Sequence, residues 1–344
     1  MSSADRWDPA VTAAFAELLA RAGLDPGADA EYTPLTGGLS HRVVRVDAGR
    51  RRWILRVLDP AVSAAGLGVP ARQEIANTLA AARSGVGPAV LGTVDEPAAV
   101  VLEFVDAHTL DADGVADPDA LVRIAAACRR LHTSTPPFAN RFDIFRKTEE
   151  LLARCRRHDL PVPDGYADRL TDLARIEHAL SAVPLPQAPC HNDLLPANLL
   201  DDGRSVRIVD YQLSGMNDPA FDLGDIAAEA QLADDLVDLL TAAYFGAETS
   251  PRLLARVLLY RIASDVAWTL WFAVHHGLLA GTAAAPAFDY RAEAADKWAR
   301  AVRALDADDF GTLLDRAAGR AAAPSAQGGV PDSRTSRQES GRRS

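Results

Sequence analysis

Apolar residues recur at helical spacing over residues 11–22, and the run stops at Gly23. The period then shortens. Residues 42–46 (RVVRV) and 51–58 (RRWILRVL) have strand character and join through Ala48-Gly49 as a hairpin. Alternation in the second strand puts Ile54, Arg56 and Leu58 on one face. Pro70 opens a helix that runs to a stop at Gly85. Two further strands, 89–94 and 98–105, flank the turn Asp95-Glu96-Pro97. Residues 1–105 are therefore expected to form a small domain of sheet and helix.

Beyond Asp106 the helical period dominates, over residues 118–132, 145–157, 164–182, 222–244, 251–280 and 291–318. One island, residues 190–213, interrupts it with two short apolar runs around Asp201-Asp202-Gly203, a loop followed by a hairpin. Residues 106–318 are expected to form a larger helical domain around this island. Residues 319–344 carry almost no large apolar side chain and are expected to be a disordered tail. There is no internal repeat.

Composition narrows the class. Hydrophobic residues make up 48% and charged residues 24%, which excludes a collagenous, mucin-like or wholly disordered chain. No run of about 18 uninterrupted apolar residues predicts a membrane span. MSSADRWDPA lacks the basic start and apolar stretch of a signal peptide. Cys128, Cys155 and Cys190 are odd in number and lack metal-site spacing, so a reduced, cytoplasmic compartment is expected. A net charge of −11 argues against nucleic acid as a partner. A membrane partner is not expected either, and the oligomeric state is left open. Of 36 basic residues only Lys147 and Lys297 are lysines, which restricts the choice of a phosphate-binding cation near the N-terminus.

The chemistry concentrates in CHNDLLPANLLDDGRSVRIVDYQ, residues 190–212. His191-x-Asp193 is followed five residues after the aspartate by Asn198, and twelve residues later Asp210 ends the apolar strand Val206 to Val209. Phosphoryl transfer needs such an arrangement: one aspartate to accept the proton of the attacking hydroxyl, then an asparagine and a second aspartate to supply oxygen ligands to Mg²⁺. Read for structure alone, the same residues are an Asx-rich turn and a hairpin whose carboxylates face water. The four matching positions favour the chemical reading.

With this motif the chain resembles the aminoglycoside phosphotransferase and choline kinase superfamily over roughly residues 30–310. It is most similar to the choline/ethanolamine kinase branch. There a run like VDYQLSGMNDPAFDLGD, residues 209–225, links the metal aspartate to an asparagine (Asn217) and to Phe221-Asp222-Leu223-Gly224. The resemblance implies an α+β, two-lobed protein-kinase-like fold, with a small β-rich N-terminal lobe and a larger helical C-terminal lobe. It implies an ATP- and Mg²⁺-dependent kinase acting on the hydroxyl of choline, ethanolamine or a related amino alcohol. Asp193 would be the catalytic base and Asn198 and Asp210 the metal ligands. His191 and Asp222 would support the loop, Asp222 through buried hydrogen bonds.

The N-terminal domain adds nucleotide-binding candidates. Leu35-Thr36-Gly37-Gly38-Leu39-Ser40 precedes the first strand, and Gly37, Gly38 and Ser40 suit backbone amides approaching phosphates, although an ordinary turn fits as well. Both lysines lie beyond residue 140, so the phosphate cation must be an arginine, and Arg56 is well placed. The resemblance pairs Arg56 with Glu74, which by itself also suits a solvated helix position. Glu103-Phe104-Val105 would be the hinge, with backbone at Glu103 and Val105 meeting the adenine. Departures from the branch are His41 for asparagine, Gln212 for an acidic residue and Leu213 for an aromatic.

For the acceptor, Trp268 and Trp271 share a helix face with Ser264 and His275. Aromatic faces and a carboxylate are what a quaternary ammonium requires, although tryptophans at this spacing are commonly core. The resemblance makes the pair an acceptor wall, with Tyr290, in Phe288-Asp289-Tyr290, as a third. His275-His276 with Asp289 reads as surface rather than metal site, and His132 as structural. An aminoglycoside or other polyol phosphotransferase and a non-catalytic nucleotide-binding module are the competing readings. The first needs several carboxylates in the acceptor groove, and the second commonly loses one of Asp193, Asn198 or Asp210.

Overall fold

The computed structural model describes residues 7–35, 40–279 and 288–320. Helix α1 (Pro9–Arg21) starts at Asp8, whose side chain accepts the Ala10 amide. Five antiparallel strands follow: β1 (Glu31–Pro34), β2 (Arg42–Ala48), β3 (Arg51–Val57), β4 (Val90–Asp95) and β5 (Ala98–Glu103). Their order is β1-β2-β3-β5-β4. Between β3 and β4 lie the short α2 (Pro60–Ala64) and α3 (Ala71–Ser84), which ends on Gly85 at φ 74°. Trp53 and Leu55 bury against α1 with Val44, Val46 and Val101, while Arg56, on the opposite face of β3, looks toward the rest of the molecule.

The remainder is helical around two small ribbons. In chain order it comprises β6 (His108–Thr109), α4 (Ala112–Val115), α5 (Pro118–Ser134), α6 (Ile144–Arg157), α7 (Leu170–Ala182) and β7 (Ala188–Cys190). Then come β8 (Leu199–Asp201), β9 (Val206–Ile208), β10 (Gly215–Asn217), α8 (Pro219–Glu229), α9 (Asp234–Phe245), α10 (Pro251–Leu279), α11 (Tyr290–Leu305) and α12 (Phe310–Ala317). β6, β8 and β9 form one ribbon, and β7 and β10 the other. The second core spans this body and also takes in Val62, Leu67, Ala80, Ala81 and Val86 from the segment between β3 and β4.

Four features differ from the sequence reading. Residues 222–244 form two helices, because Gln231 turns left-handed at φ 49° and the chain re-enters helix at Asp234. Residues 291–318 are likewise split, into α11 and α12. Strands β1, β6, β7 and β10 are too short to leave a periodic signature. Helix α10 does have the length and hydropathy of a membrane span, but 83% of its apolar window is buried inside the protein, so it packs as a core helix. Gly319 and Arg320 close α12, with the Arg320 amide on Asp315 O at 2.9 Å. The rest of the expected tail lies outside the described residues.

Candidate active site

The loop between β7 and β8 is held from beneath by α8. Asp222 accepts the His191 amide on Oδ2 and the Asn192 amide on Oδ1, each at 2.8 Å. His132 Nε2 reaches the same Oδ2 at 2.9 Å, and its Nδ1 lies 2.7 Å from the Tyr244 hydroxyl. Burial works against a charged Asp222, but His132 and these amides outweigh it and keep its pKa below the ordinary range. His132, Cys190 and Asp222 lie close enough for a metal, yet the atoms are committed to this hydrogen-bonded brace.

One turn further along α8, Asp225 accepts the Leu194 amide on Oδ2 at 2.7 Å. Its Oδ1 takes Ser264 Oγ and Trp268 Nε1, both at 2.7 Å. Burial and nearby Glu229 push the Asp225 pKa up to about 7. The two aspartates thus fix the amides on either side of Asp193. Asn192 sits left-handed at φ 64°, a conformation asparagine tolerates, and bonds the Leu213 carbonyl and the Asn217 side chain. Asp193 is left facing the cleft. Burial first, then Asp225, Asp210 and Glu229, push its pKa well above the usual carboxylate range.

Asn198 and Asp210 line the same cleft. Asn198 Nδ2 donates to the Asp193 carbonyl at 2.9 Å, which commits the amide nitrogen and leaves Oδ1 as its oxygen donor. Asp210 follows β9 with φ 70°, a costly conformation held by its surroundings. His191, packed edge-on against Tyr211, donates from Nε2 to the Val209 carbonyl at 2.9 Å and ties the loop to this turn. An amide oxygen and a carboxylate are hard donors, which suits Mg²⁺ rather than a soft metal.

From the sheet side, Arg56 contacts Asp210 Oδ1 and lies 3.1 Å from Glu74 Oε1. Glu74 is buried rather than solvated, and its other oxygen is 3.4 Å from His41 Nε2. His41 Nδ1 accepts the Asp59 amide at 3.0 Å, leaving Nε2 as the protonated nitrogen. Arg56 itself is held charged: burial opposes this, but Asp210 and Glu74 raise its pKa overall. Ser40 Oγ accepts from Gln212 Nε2 at 3.1 Å, and Gln212 also donates to the Leu67 carbonyl at 2.9 Å. Gly37 and Gly38 lie outside the described residues. Glu103 ends β5 with its side chain on the Ala89 amide at 2.9 Å, and the Val105 carbonyl accepts Ala107 at 3.1 Å, where the chain crosses to the helical body.

Beyond Asp193 the cleft is walled by Trp268, Trp271, Phe272, Leu213 and Glu229. The tryptophans belong to the core and to this wall at once, being 3% and 7% exposed. Trp268 donates to Asp225 and Trp271 to the Leu67 carbonyl at 3.0 Å, so their N–H groups are spent on protein partners. Tyr290 does not line this cavity. It stacks on His275 at 4.4 Å, behind Phe272, which takes the place expected for it. Phe272, Asp225 and Glu229 escaped the sequence reading, although Asp222, Asp225 and Glu229 fall at i, i+3 and i+7 on one helix face.

A five-stranded sheet set over a helical body, with these oxygen donors converging in the cleft between, defines a protein-kinase-like phosphotransferase. Residues 31–260 match the phosphotransferase enzyme family. A choline/ethanolamine kinase family protein from Mesorhizobium loti superposes with a TM-score of 0.77 at 31% identity, over 90% of this chain and 99% of that one. The choline kinase LicA of Streptococcus pneumoniae shares the fold at a TM-score of 0.65 and 19% identity, over 79% of this chain and 93% of its own. Protein LicA of Haemophilus influenzae is 26% identical over 254 residues, 70% of this chain and 73% of its own. The chain belongs to the phosphotransferase enzyme family and, within it, to the choline/ethanolamine kinase family.

Proposed function

We propose that this enzyme transfers the terminal phosphate of ATP to the hydroxyl of a small amino alcohol such as choline or ethanolamine, with Mg²⁺ on the nucleotide phosphates. The observation that carries the reading is the position of Asp193, in one cavity with Asn198 and Asp210 on one side and Trp268, Trp271, Phe272 and Glu229 on the other. The acceptor ammonium lies against the aromatic wall and Glu229, which brings its hydroxyl to Asp193. The Asp193 carboxylate accepts the hydroxyl proton as the oxygen attacks phosphorus, and its raised pKa suits it to that task. Arg56, held by Glu74, offsets charge on the phosphates. Asn198 Oδ1 and the Asp210 carboxylate would hold Mg²⁺, which neutralises phosphate charge when bound. Three buried free cysteines support a reducing, cytoplasmic setting.

The test is ADP release, coupled to a reporter, over choline, ethanolamine and several aminoglycosides, with Mg²⁺ and with EDTA. Mg²⁺-dependent release with an amino alcohol is expected. Release with aminoglycosides alone, or with none of these acceptors, would sink the proposal.

A further inference from the structure

Behind the acceptor wall lies a buried cation that the transfer chemistry does not use. Lys297, on α11, is wholly buried. Its Nζ is 2.7 Å from Glu229 Oε1 and 3.8 Å from Glu293 Oε1, and it stands 5.7 Å from the centre of the Phe272 ring. Glu229 and Phe272 line the cavity, whereas Lys297 is set back from it. A lysine is almost never fully buried unless paired. Burial opposes its charge, yet Glu229 and Asp265 outweigh that and hold its pKa above the ordinary value. Asp265 is itself bonded by Arg300 Nη2 at 2.8 Å, so Glu229 and Asp265 each contact a cation behind the wall.

This pairing changes what the pocket offers a cation. A quaternary ammonium has no N–H and is held by uncompensated negative charge and aromatic faces. An ammonium in contact with Glu229 offsets most of that charge at the distance of a ligand. What the carboxylate retains is hydrogen-bond acceptance: Lys297 engages Oε1, and Glu229 lines the cavity that a ligand N–H would enter. Leu213, in the same wall, adds no aromatic face. The geometry points to Lys297 as a positioning residue that sets acceptor specificity, orienting Glu229 and favouring an amino alcohol whose ammonium bears N–H over a quaternary one. The inference rests on the proposed amino-alcohol reading and deepens it.

Steady-state kinetics of the full chain with ethanolamine and choline test it, in wild type, Lys297→Met and the double variant Glu229→Gln/Lys297→Met. Wild type is expected to favour ethanolamine in kcat/KM by about tenfold or more, the scale of one hydrogen bond to a charged group. Lys297→Met shifts the ratio toward choline by a similar factor, through the acceptor KM and with the ATP KM unchanged. The double variant removes both buried charges together, so it carries the test if Lys297→Met does not fold, and its ethanolamine preference falls below that of wild type. A wild type that prefers choline, or a ratio unchanged in the folded variants, overturns the role of Lys297 and leaves the proposed function standing. Turnover of neither amine overturns both.

Discussion

At the scale of single residues, the site depends on one carboxylate kept free while its neighbours are tied down. The amides at 191, 192 and 194 are all bonded to aspartates of α8, and Asp193 between them is turned to the cleft. Asp193→Asn preserves shape and those backbone bonds but removes the proposed proton acceptor. We expect a folded protein with ATP affinity retained and kcat lowered by roughly 10²–10⁴, the range for a positioned general base. Near-normal turnover in a folded variant would take Asp193 out of that role. The departures at Gln212 and Leu213 also have a structural account. Gln212 donates to Ser40 and the Leu67 carbonyl, which a carboxylate could not do, and Leu213 lies in the cavity wall at 2% exposure.

Among the elements, α8 does the most to order the site, since Asp222, Asp225 and Glu229 form one acidic face beneath the loop. Such a face is costly to bury, and the cost shows in Asp225, whose pKa is pushed from the ordinary aspartate range up to about 7. Asp225 therefore binds its proton more tightly folded than unfolded. Its contribution to stability is full below about pH 4 and is lost as pH rises through about 7. Asp225→Asn keeps one acceptor oxygen but loses the one that takes the Leu194 amide, so it should be less stable than wild type at pH 4. Between pH 4 and 8 that deficit should narrow by up to roughly 4 kcal/mol, since each tenfold gain in proton affinity on folding is worth about 1.36 kcal/mol. Urea unfolding of both proteins at the two pH values decides, and a pH-independent deficit would mean Asp225 titrates like an exposed carboxylate.

For the whole molecule, the N-terminal half and the helical body share a core and are also cross-linked at the cleft. Arg56 reaches Asp210, Gln212 reaches Ser40 and Leu67, and Trp271 bonds the same Leu67 carbonyl. A nucleotide bound between them, as proposed, would bind the folded chain alone and stabilise it by about 2.7 kcal/mol at a hundredfold excess over Kd. Melting curves with ATP should show a larger shift with Mg²⁺ than with EDTA, and Asp210→Ala should abolish that difference. A variant whose ATP shift still depends on Mg²⁺ would assign the metal to other residues.

The sequence by itself determined the longer strands of the sheet, most of the longer helical stretches, the helix from Pro70 to Gly85, and the spacing of Asp193, Asn198 and Asp210 across a loop and hairpin. These are properties of one segment at a time, written in periods of two and 3.6 residues and in turn residues. It placed Trp268 and Trp271 on one face for the same reason. Tertiary structure decided what lies between segments. Trp271 bonds a carbonyl 204 residues away, and Lys297 pairs with a glutamate 68 residues away. Phe272 rather than Tyr290 lines the cavity because α11 stacks Tyr290 on His275. Whether a glutamate at i+7 on an acidic face meets solvent, a substrate or a buried ammonium depends on the element packed opposite, and local periodicity does not encode that partner.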